Sequence, residues 1–204
     1  MGQAIKKNKV EYIDRVHGNS KGWITRSCID ENGYSQWHYK YLELKETDLT
    51  GENIYITLNT FYKPCRRLEC IKELNFVYID LDYYKTKYTK EQVIMNLESN
   101  YFNKIIPATN YIIDSGRGLA LLWNINKVPS QALPLWKAIQ EYLYHQLKEF
   151  GADRQALDAT RVLRVPGSIN SKSKTVVSII DEYDYIYDLR EIQKEYLPEL
   201  KTKR

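Results

Sequence analysis

The chain has 204 residues, 43% of them hydrophobic and 27% charged, and its 30 Lys and Arg against 26 Asp and Glu give a formal net charge of +4. Such a composition can bury the core of one domain or of two closely joined halves, and it excludes intrinsic disorder. Charged or amide residues interrupt every hydrophobic run before it reaches the roughly 20 apolar residues that cross a bilayer, so no membrane partner is expected.

Cysteine usage bears on the compartment. Cys28, Cys65 and Cys70 are an odd number of cysteines, and no signal-peptide pattern precedes them. Reduced thiols in the cytoplasm fit this pattern better than a disulfide framework, so a cytoplasmic protein is expected. Cys65 and Cys70 lack a second pair of Cys or His ligands, which gives little support to a zinc site.

The first third of the chain carries signals for short strands. Residues 23–26 and 35–39 flank the sequence Asp30-Glu31-Asn32-Gly33. Its Asn-Gly pair accepts positive φ, which predicts a β-hairpin at this place. A third short strand is predicted at residues 53–58.

The middle of the chain predicts a strand, a helix and a second hairpin. Residues 76–82 are a β-branched and aromatic run typical of a strand, and a helix is predicted after it, with Thr89 as its cap and Gln92 at the capping-box position. The apolar runs 111–113 and 119–123 are joined by a link too short for a crossover helix. We therefore expect these two strands to be antiparallel neighbours.

The last third predicts one long helix, one strand and a closing helix. Residues 130–150 carry apolar side chains at helical spacing, and Gly151 predicts where the helix ends. Residues 175–180 predict a strand, and residues 189–197 predict the closing helix. The alternation of these elements, without an internal repeat, predicts a mixed α+β fold.

Two acids stand at the end of the strand predicted at residues 76–82. Because side chains alternate faces along a strand, Val77, Ile79 and Leu81 should enter the core while Asp80 and Asp82 share the other face. Carboxylates this close repel each other unless a cation bridges them, and a pair of Mg²⁺ or Mn²⁺ ions is the usual solution. A solvated turn at the end of a strand would carry the same Asp-Leu-Asp sequence, and the motif alone leaves both readings open.

A second cluster, Ser115-Gly116-Arg117-Gly118, lies in the predicted turn between the two later strands. It places a hydroxyl, free backbone N–H groups and a guanidinium on one turn, which are the groups that bind phosphate. A hairpin turn without a ligand would use the same glycines, so this cluster also leaves two readings open.

A third cluster runs from Asp158 to Lys172 and includes Arg161, Arg164, a Pro-Gly turn and Asn170. If Asp158 folds back beside Asp80 and Asp82, the three acids form one carboxylate cage. The two arginines and the lysine could then neutralise a triphosphate or a nucleic-acid backbone. A solvated loop of ion pairs explains each residue singly but not the whole group.

Taken in order, residues 78–82, 115–123 and 158–172 resemble the three motifs of the archaeo-eukaryotic primase superfamily, especially the replication primases of plasmids, phages and mobile elements. The resemblance implies a single catalytic domain over residues 1–204, with an N-terminal α/β unit joined near residues 105–110 to a module like an RNA-recognition fold. The active site would lie between the two. Relatives of this kind often continue into further domains, so the chain could be part of a longer replication protein.

The resemblance also assigns roles to residues. Asp80 and Asp82 are expected to bind Mg²⁺ or Mn²⁺, with Asp158 as the third catalytic and metal-binding acid and Asp153 as the alternative. The residues expected at the nucleotide are Ser115, Gly116, Arg117, Gly118, Arg161, Arg164, Asn170 and Lys172.

One position departs from the family. Many members carry a His two residues after the second motif's last glycine, where this chain has Ala120. His17, His38 and His145 do not stand at that position, so a phosphate-contacting imidazole is absent from the motif. Either another side chain substitutes for it or nucleotide binding is weaker.

The function implied is that of a DNA primase or primase-polymerase, with a single-stranded DNA template, an NTP or dNTP and a replicative helicase as partners. One alternative is a degenerate primase fold that only binds single-stranded nucleic acid. Another is a rolling-circle initiator that nicks DNA with a Tyr, but such enzymes hold their metal with paired histidines and no His-x-His sequence occurs here.

Overall fold

A four-stranded antiparallel sheet forms one side of the protein in residues 11–200, the part of the chain that the computed structural model describes. Its strands lie in the order β2-β1-β3-β8. They are β1 (Ile24–Asp30), β2 (Gly33–Tyr39), β3 (Ile54–Thr57) and β8 (Val162–Arg164). The Asn32-Gly33 turn closes the β1–β2 hairpin, with Gly33 at a φ of +103°.

A five-stranded antiparallel sheet has the order β11-β6-β7-β5-β4. Its strands are β4 (Thr60–Phe61), β5 (Ile71–Leu81), β6 (Tyr111–Asp114), β7 (Leu119–Pro129) and β11 (Ser178–Glu182). The long strands β5 and β7 are buried over much of their length, so they form the centre of the hydrophobic core. A separate ladder pairs β9 (Ile169–Asn170) with β10 (Thr175–Val176).

Helices cover these sheets. They are α1, which includes residues 11–17, then α2 (Tyr41–Glu46), α3 (Lys90–Asn96), α4 (Leu133–Leu147) and α5 (Leu189–Tyr196). The indole of Trp136 on α4 donates to the Phe76 carbonyl at 2.7 Å, and the Gln140 side chain accepts from the Tyr78 N–H at 3.0 Å. α4 therefore satisfies backbone groups of β5 as well as packing on it. Within residues 11–200, no helix combines the length and the apolar character needed to span a membrane.

The α+β class and most predicted elements are confirmed. Thr89 begins α3 with a capping box, since its N–H donates to Gln92 Oε1 at 2.9 Å and its hydroxyl accepts from the Gln92 N–H at 3.3 Å. The long helix is shorter than predicted because tight 3₁₀ turns occupy both of its ends. The single strand predicted at residues 175–180 is wrong: the Val177 N–H donates to the Ser168 carbonyl, which separates β10 from β11.

The division between the sheets does not fall at residues 105–110. β5 precedes that position and β7 follows it, yet the two pair along most of their length. The sheets divide between β3 and β4, and the chain returns to the first sheet at β8. Buried strands need hydrogen-bonding neighbours, and for β5 the neighbour comes from later in the sequence.

Candidate active site

Asp80 and Asp82 lie at the carboxyl end of β5, and their side chains are 26% and 23% exposed. Val77, like Ile79 and Leu81, is buried, as the strand pattern predicted. The face of the acids is also buried before Asp80, because Tyr78 packs its ring edge against Trp136. Core packing on both faces therefore fixes the strand up to the residue at which the acids begin.

Residues 151–153 run antiparallel beside this end of β5. The Asp82 N–H donates to the Gly151 carbonyl and the Asp153 N–H donates to the Asp80 carbonyl, each at 2.8 Å. Gly151 has a φ of +82°, and a Cβ atom there would lie 2.7 Å from the Asp82 carbonyl oxygen, so the approach requires glycine. This backbone pairing places Asp153 next to Asp80.

Two protein cations lie against the three carboxylates and offset part of their charge. Arg161 Nη2 lies 4.0 Å from Asp80 Oδ2 and 3.7 Å from Asp153 Oδ2, and Lys85 Nζ lies 2.5 Å from Asp82 Oδ2. Burial raises the pKa of Asp80 to about 6 against the opposing charge of Arg161, and the negative charges of Asp82 and Asp153 add to the rise. The ionised form of Asp80 is therefore disfavoured, and a cation bound at this point would favour it.

The cage expected from Asp80, Asp82 and Asp158 is not formed. The Asp158 carboxylate accepts from the Thr160 N–H at 2.9 Å and from the Thr160 hydroxyl at 2.7 Å. The Asp158 carbonyl accepts from the Tyr78 hydroxyl at 2.6 Å. Local hydrogen bonds thus hold Asp158 in a turn that leads into β8, and the acid brought to Asp80 is Asp153.

Carboxylate oxygens are the donors that Mg²⁺ and Mn²⁺ prefer, so the chemistry of Asp80, Asp82 and Asp153 fits such an ion. As the side chains stand, no three Asp, Glu, His or Cys residues in the described range are grouped closely enough to hold a metal.

The turn from Ser115 to Gly118 contacts the end of β5. The Ser115 hydroxyl donates to the Gly118 carbonyl at 2.9 Å and accepts from the Gly118 N–H at 3.2 Å, so its hydrogen bonds are used within the turn. Gly116 has a φ of +84° and donates its N–H to Asp114 Oδ1 at 2.7 Å. A Cβ atom on Gly118 would lie 2.6 Å from the Leu81 carbonyl oxygen. Gly118 is therefore needed to bring this turn to the acids, and Gly116 is needed for the conformation of the turn itself.

Arg117 is the exposed member of the turn. Its guanidinium carbon lies 4.5 Å from the centre of the Tyr84 ring, and Lys85 Nζ lies 5.4 Å from the same ring. Tyr84 is 45% exposed and follows Asp82 closely in sequence. We did not predict this cation–aromatic group, although the sequence Asp82-Tyr83-Tyr84-Lys85 contained a signal for it.

Arg164 approaches the acids from the first sheet. Its guanidinium carbon lies 4.6 Å from the centre of the Tyr55 ring, and Nη1 donates to Asn53 Oδ1 at 2.9 Å. Asn53 Nδ2 in turn donates to Ser171 Oγ at 2.7 Å. Sequence analysis missed Asn53, because a polar residue before a short strand does not by itself indicate a partner so distant in the chain.

Asn170 and Lys172 have different surroundings. Asn170 is buried; its Nδ2 donates to the Ser115 carbonyl at 2.6 Å and its Oδ1 accepts from the Lys172 N–H at 3.1 Å. Asn170 therefore links β9 to the Ser115 turn, which is a positioning role. The Lys172 side chain is exposed.

Ala120 pairs with Asp80 across β7 and β5, so the position at which the resemblance led us to look for a His lies beside the acid. The described histidines lie elsewhere. His17 Nε2 lies 2.9 Å from the Thr57 carbonyl oxygen, and His38 Nδ1 lies 3.0 Å from the Thr25 hydroxyl oxygen. His145 lies on α4. None of these three is on β7, so none substitutes at that position.

Comparison with known proteins gives one curated relative and several solved structures. No family model matches the chain. A protein of Clostridium perfringens named a replication protein is 75% identical over 201 residues, which cover 98% of this chain and 50% of the relative. The chain thus spans about half the length of the curated relative that it matches.

The solved structures share its fold. The archaeo-eukaryotic primase domain of the cyanophage S-2L primase-polymerase aligns with a TM-score of 0.64 at 14% identity, over 92% of this chain and 96% of that one. The primase RepB′ aligns at 0.58 and 10% identity, over 95% and 64%. The catalytic domain of RepB′ in complex with initiator DNA aligns at 0.54 and 11% identity, over 98% and 99%.

Proposed function

We propose, because the chain has the fold of an archaeo-eukaryotic primase catalytic domain, that it is the primer-synthesising domain of a plasmid or mobile-element replication protein. The reaction would be template-dependent nucleotidyl transfer. The observation that carries the proposal is the set of acids at the end of β5, where Asp82 and Asp153 flank an Asp80 whose pKa is raised to about 6. Crowded, partly buried carboxylates of this kind are typical of catalytic metal sites.

In this proposal Asp80, Asp82 and Asp153 would hold Mg²⁺ or Mn²⁺. The bound metal would activate the attacking 3′-oxygen and neutralise charge on the pyrophosphate that leaves. Arg161 and Lys85, which pair with the acids in the structure, would then be free to bind the triphosphate. The growing strand would gain one nucleotide and pyrophosphate would leave.

The Ser115–Gly118 turn would bind the incoming NTP or dNTP. Arg117 on its exposed side, Arg164 on β8 and Lys172 would contact phosphates, and Asn170 would keep the turn in place through the Ser115 carbonyl. Besides the nucleotide, the partners in this proposal are a single-stranded DNA template and a replicative helicase on the same template.

A second function is favoured by one observation. Ala120 stands beside Asp80 where an imidazole would otherwise reach the phosphates, and the chain could therefore have kept the nucleic-acid surface without the chemistry. A binding module of a replication initiator is the resulting alternative.

Primer synthesis on a single-stranded template, with labelled nucleotides and Mg²⁺ or Mn²⁺, separates the two. We expect labelled products from the wild type and none from the Asp80→Ala/Asp82→Ala double variant, while both proteins remain folded and bind the template. A folded wild type that binds the template but makes no product would favour the binding module.

A further inference from the structure

A row of side chains crosses one face of the four-stranded sheet. Gln36 on β2 pairs with Ser27 on β1, Ser27 pairs with Tyr55 on β3, and Tyr55 pairs with Arg164 on β8. Directly paired residues point to the same face of a sheet, so these side chains form one row, in which Ser27 is buried between its neighbours. Arg164 and Tyr55 stack at the inner end of this row, beside the acids.

Arg66 occupies the outer end of the row. Its Nε donates to Gln36 Oε1 at 3.1 Å and its Nη2 donates to the Tyr34 hydroxyl at 3.0 Å. Its Nη1 donates to the Thr160 carbonyl at 3.0 Å, which ties it to the residue before Arg161. We call Tyr34, Gln36, Tyr55, Arg66 and Arg164 together the arginine–tyrosine strip.

The strip carries positive charge that carboxylates do not neutralise. The hydrogen-bond partners of Arg66 and Arg164 are neutral oxygens, and within residues 11–200 neither guanidinium forms an ion pair. Arg161, by contrast, is paired with acids. The Tyr34 ring lies 5.8 Å from the Arg66 guanidinium and is 48% exposed, while Arg66 is partly buried, so the ring and the edge of the guanidinium are accessible to a ligand.

Charge differs between the strip and the neighbouring β1–β2 turn. The surface at this turn is acidic, with Asp30 and Glu31 beside Glu52 around a common cavity. A polyanion would be repelled there, which leaves the strip as the surface that attracts it. Cations interleaved with aromatic rings are the equipment that binds single-stranded nucleic acid, by phosphate contacts and base stacking.

We propose that the arginine–tyrosine strip guides the single-stranded DNA template to the acids, with Arg66 on a phosphate, Tyr34 stacked on a base, and Arg164 where the template meets the nucleotide site. The inference rests on the proposed function for the identity of the strand. It assigns template contacts to Arg66 and Tyr34, which lie outside the three sequence motifs.

Binding of a fluorescently labelled single-stranded oligonucleotide, measured by anisotropy in EDTA and without nucleotide, tests the strip apart from catalysis. Arg66→Ala is expected to weaken binding about 3- to 10-fold at low salt and to reduce the slope of log K against log salt by roughly one. Arg67→Ala is the matched control, since Arg67 is 73% exposed and lies near Glu69. It should bind like the wild type.

Further variants separate contact from structural support. Arg66→Lys keeps the charge and should restore most of the salt slope; a Lys variant that behaves like Arg66→Ala would assign Arg66 a structural role and overturn the proposal. Tyr34→Ala should weaken binding about 5-fold or more, whereas Tyr34→Phe keeps the ring and should lose much less. Equal binding by Arg66→Ala and Arg67→Ala, or no binding by the wild type, would also overturn it.

The strip and the proposed function can fail independently. If the Asp80→Ala/Asp82→Ala variant and the wild type bind DNA equally, and Arg66→Ala binds less, the strip stands even if the wild type makes no primer. If the wild type makes primers while Arg66→Ala matches it in binding and in synthesis, the proposed function is supported and the proposed role of the strip is wrong.

Discussion

Asp153 and Asp158 lie on one short segment between α4 and β8, each a few residues before arginines, yet their surroundings differ. The backbone of Asp153 pairs with that of Asp80, and its carboxylate faces Arg161. The carboxylate of Asp158 is bound by Thr160 and is exposed. Both carboxylates cap local turns, since Asp153 Oδ1 accepts from the Gln155 N–H at 3.0 Å, but only Asp153 is also held beside Asp80 and Arg161.

Backbone pairing, more than sequence context, decides which of the two acids lies beside Asp80. The short strand β4 pairs with only the first part of one edge of β5, and residues 151–153 pair with the end of that edge. Gly151 permits the approach because its φ is +82°. Asp158 follows the helical turn Arg154–Leu157, which carries it away from that edge. An Asp two residues before a Thr readily forms such a local turn.

The largest expected effect is that of Asp153→Asn. Losing one of three carboxylates should lower the rate of primer synthesis on the order of 100-fold, about 3 kcal/mol in the barrier, because the metals would be held less well. Single-turnover extension at saturating nucleotide measures the rate. Asp158→Asn is the matched control and should remain within about 3-fold of the wild type. The reverse ranking would assign the third acid to Asp158.

Arg161 also distinguishes the two acids, because it contacts Asp80 and Asp153 but has no ion pair with Asp158 in the described residues. Arg161→Gln should raise the KM for the nucleotide about 10-fold, the value of one charge-assisted hydrogen bond. Arg154→Gln is a suitable control, since Arg154 stacks on Tyr144 at 6.0 Å. Steady-state kinetics measures both, and an unchanged KM for Arg161→Gln would remove it from the nucleotide site.

The carboxylates of Asp82 and Asp153 crowd that of Asp80, and this crowding should make the free energy of unfolding depend on pH. The pKa of Asp80 is about 6 in the folded protein against an ordinary 3.8, so the folded state binds this proton more tightly than the unfolded state. Wild-type stability should therefore fall, relative to Asp80→Asn, as pH rises from about 4 through 6, and stay lower above that.

Each pKa unit corresponds to about 1.4 kcal/mol, so the metal-free Asp80→Asn variant should be more stable at pH 7 by roughly 1–3 kcal/mol. Urea unfolding in EDTA at several pH values measures this difference. A difference that does not change between pH 4 and pH 7 would mean that Asp80 is not strained by burial and by its neighbours.

Sequence signals that act over a few residues predicted much of the fold. The Asn32-Gly33 hairpin, the Thr89 capping box and the β6–β7 turn each depend on neighbours in sequence, and each is present. The pairing of β8 with β3 and of residues 151–153 with β5 could not be predicted. These contacts join distant parts of the chain, and no local pattern specifies them.

The candidate site divides in the same way. Asp80, Asp82 and the Ser115–Gly118 turn were predicted, and the register of β5 with β7 brings them together. Asn53 and Arg66 were missed because long-range packing gives them their partners, whereas Tyr84 stands between Asp82 and Lys85 in sequence and could have been predicted. For the third acid, sequence offered Asp153 and Asp158, and only the edge of β5 distinguishes their surroundings.

Replacing Asp158 should have the smallest effect on primer synthesis, and it tests whether this acid serves only the local turn. Asp158→Ala removes two hydrogen bonds to Thr160, so the free energy of unfolding should fall by about 1 kcal/mol while primer synthesis stays near the wild-type rate. Thr160→Val removes the hydroxyl partner alone. Because the two side chains act on one turn, the double variant should lose less stability than the sum of the single losses. Additive losses would mean that the turn does not depend on this pair. A large loss of activity at full stability would mean that the Asp158 carboxylate reaches the metal site during the reaction.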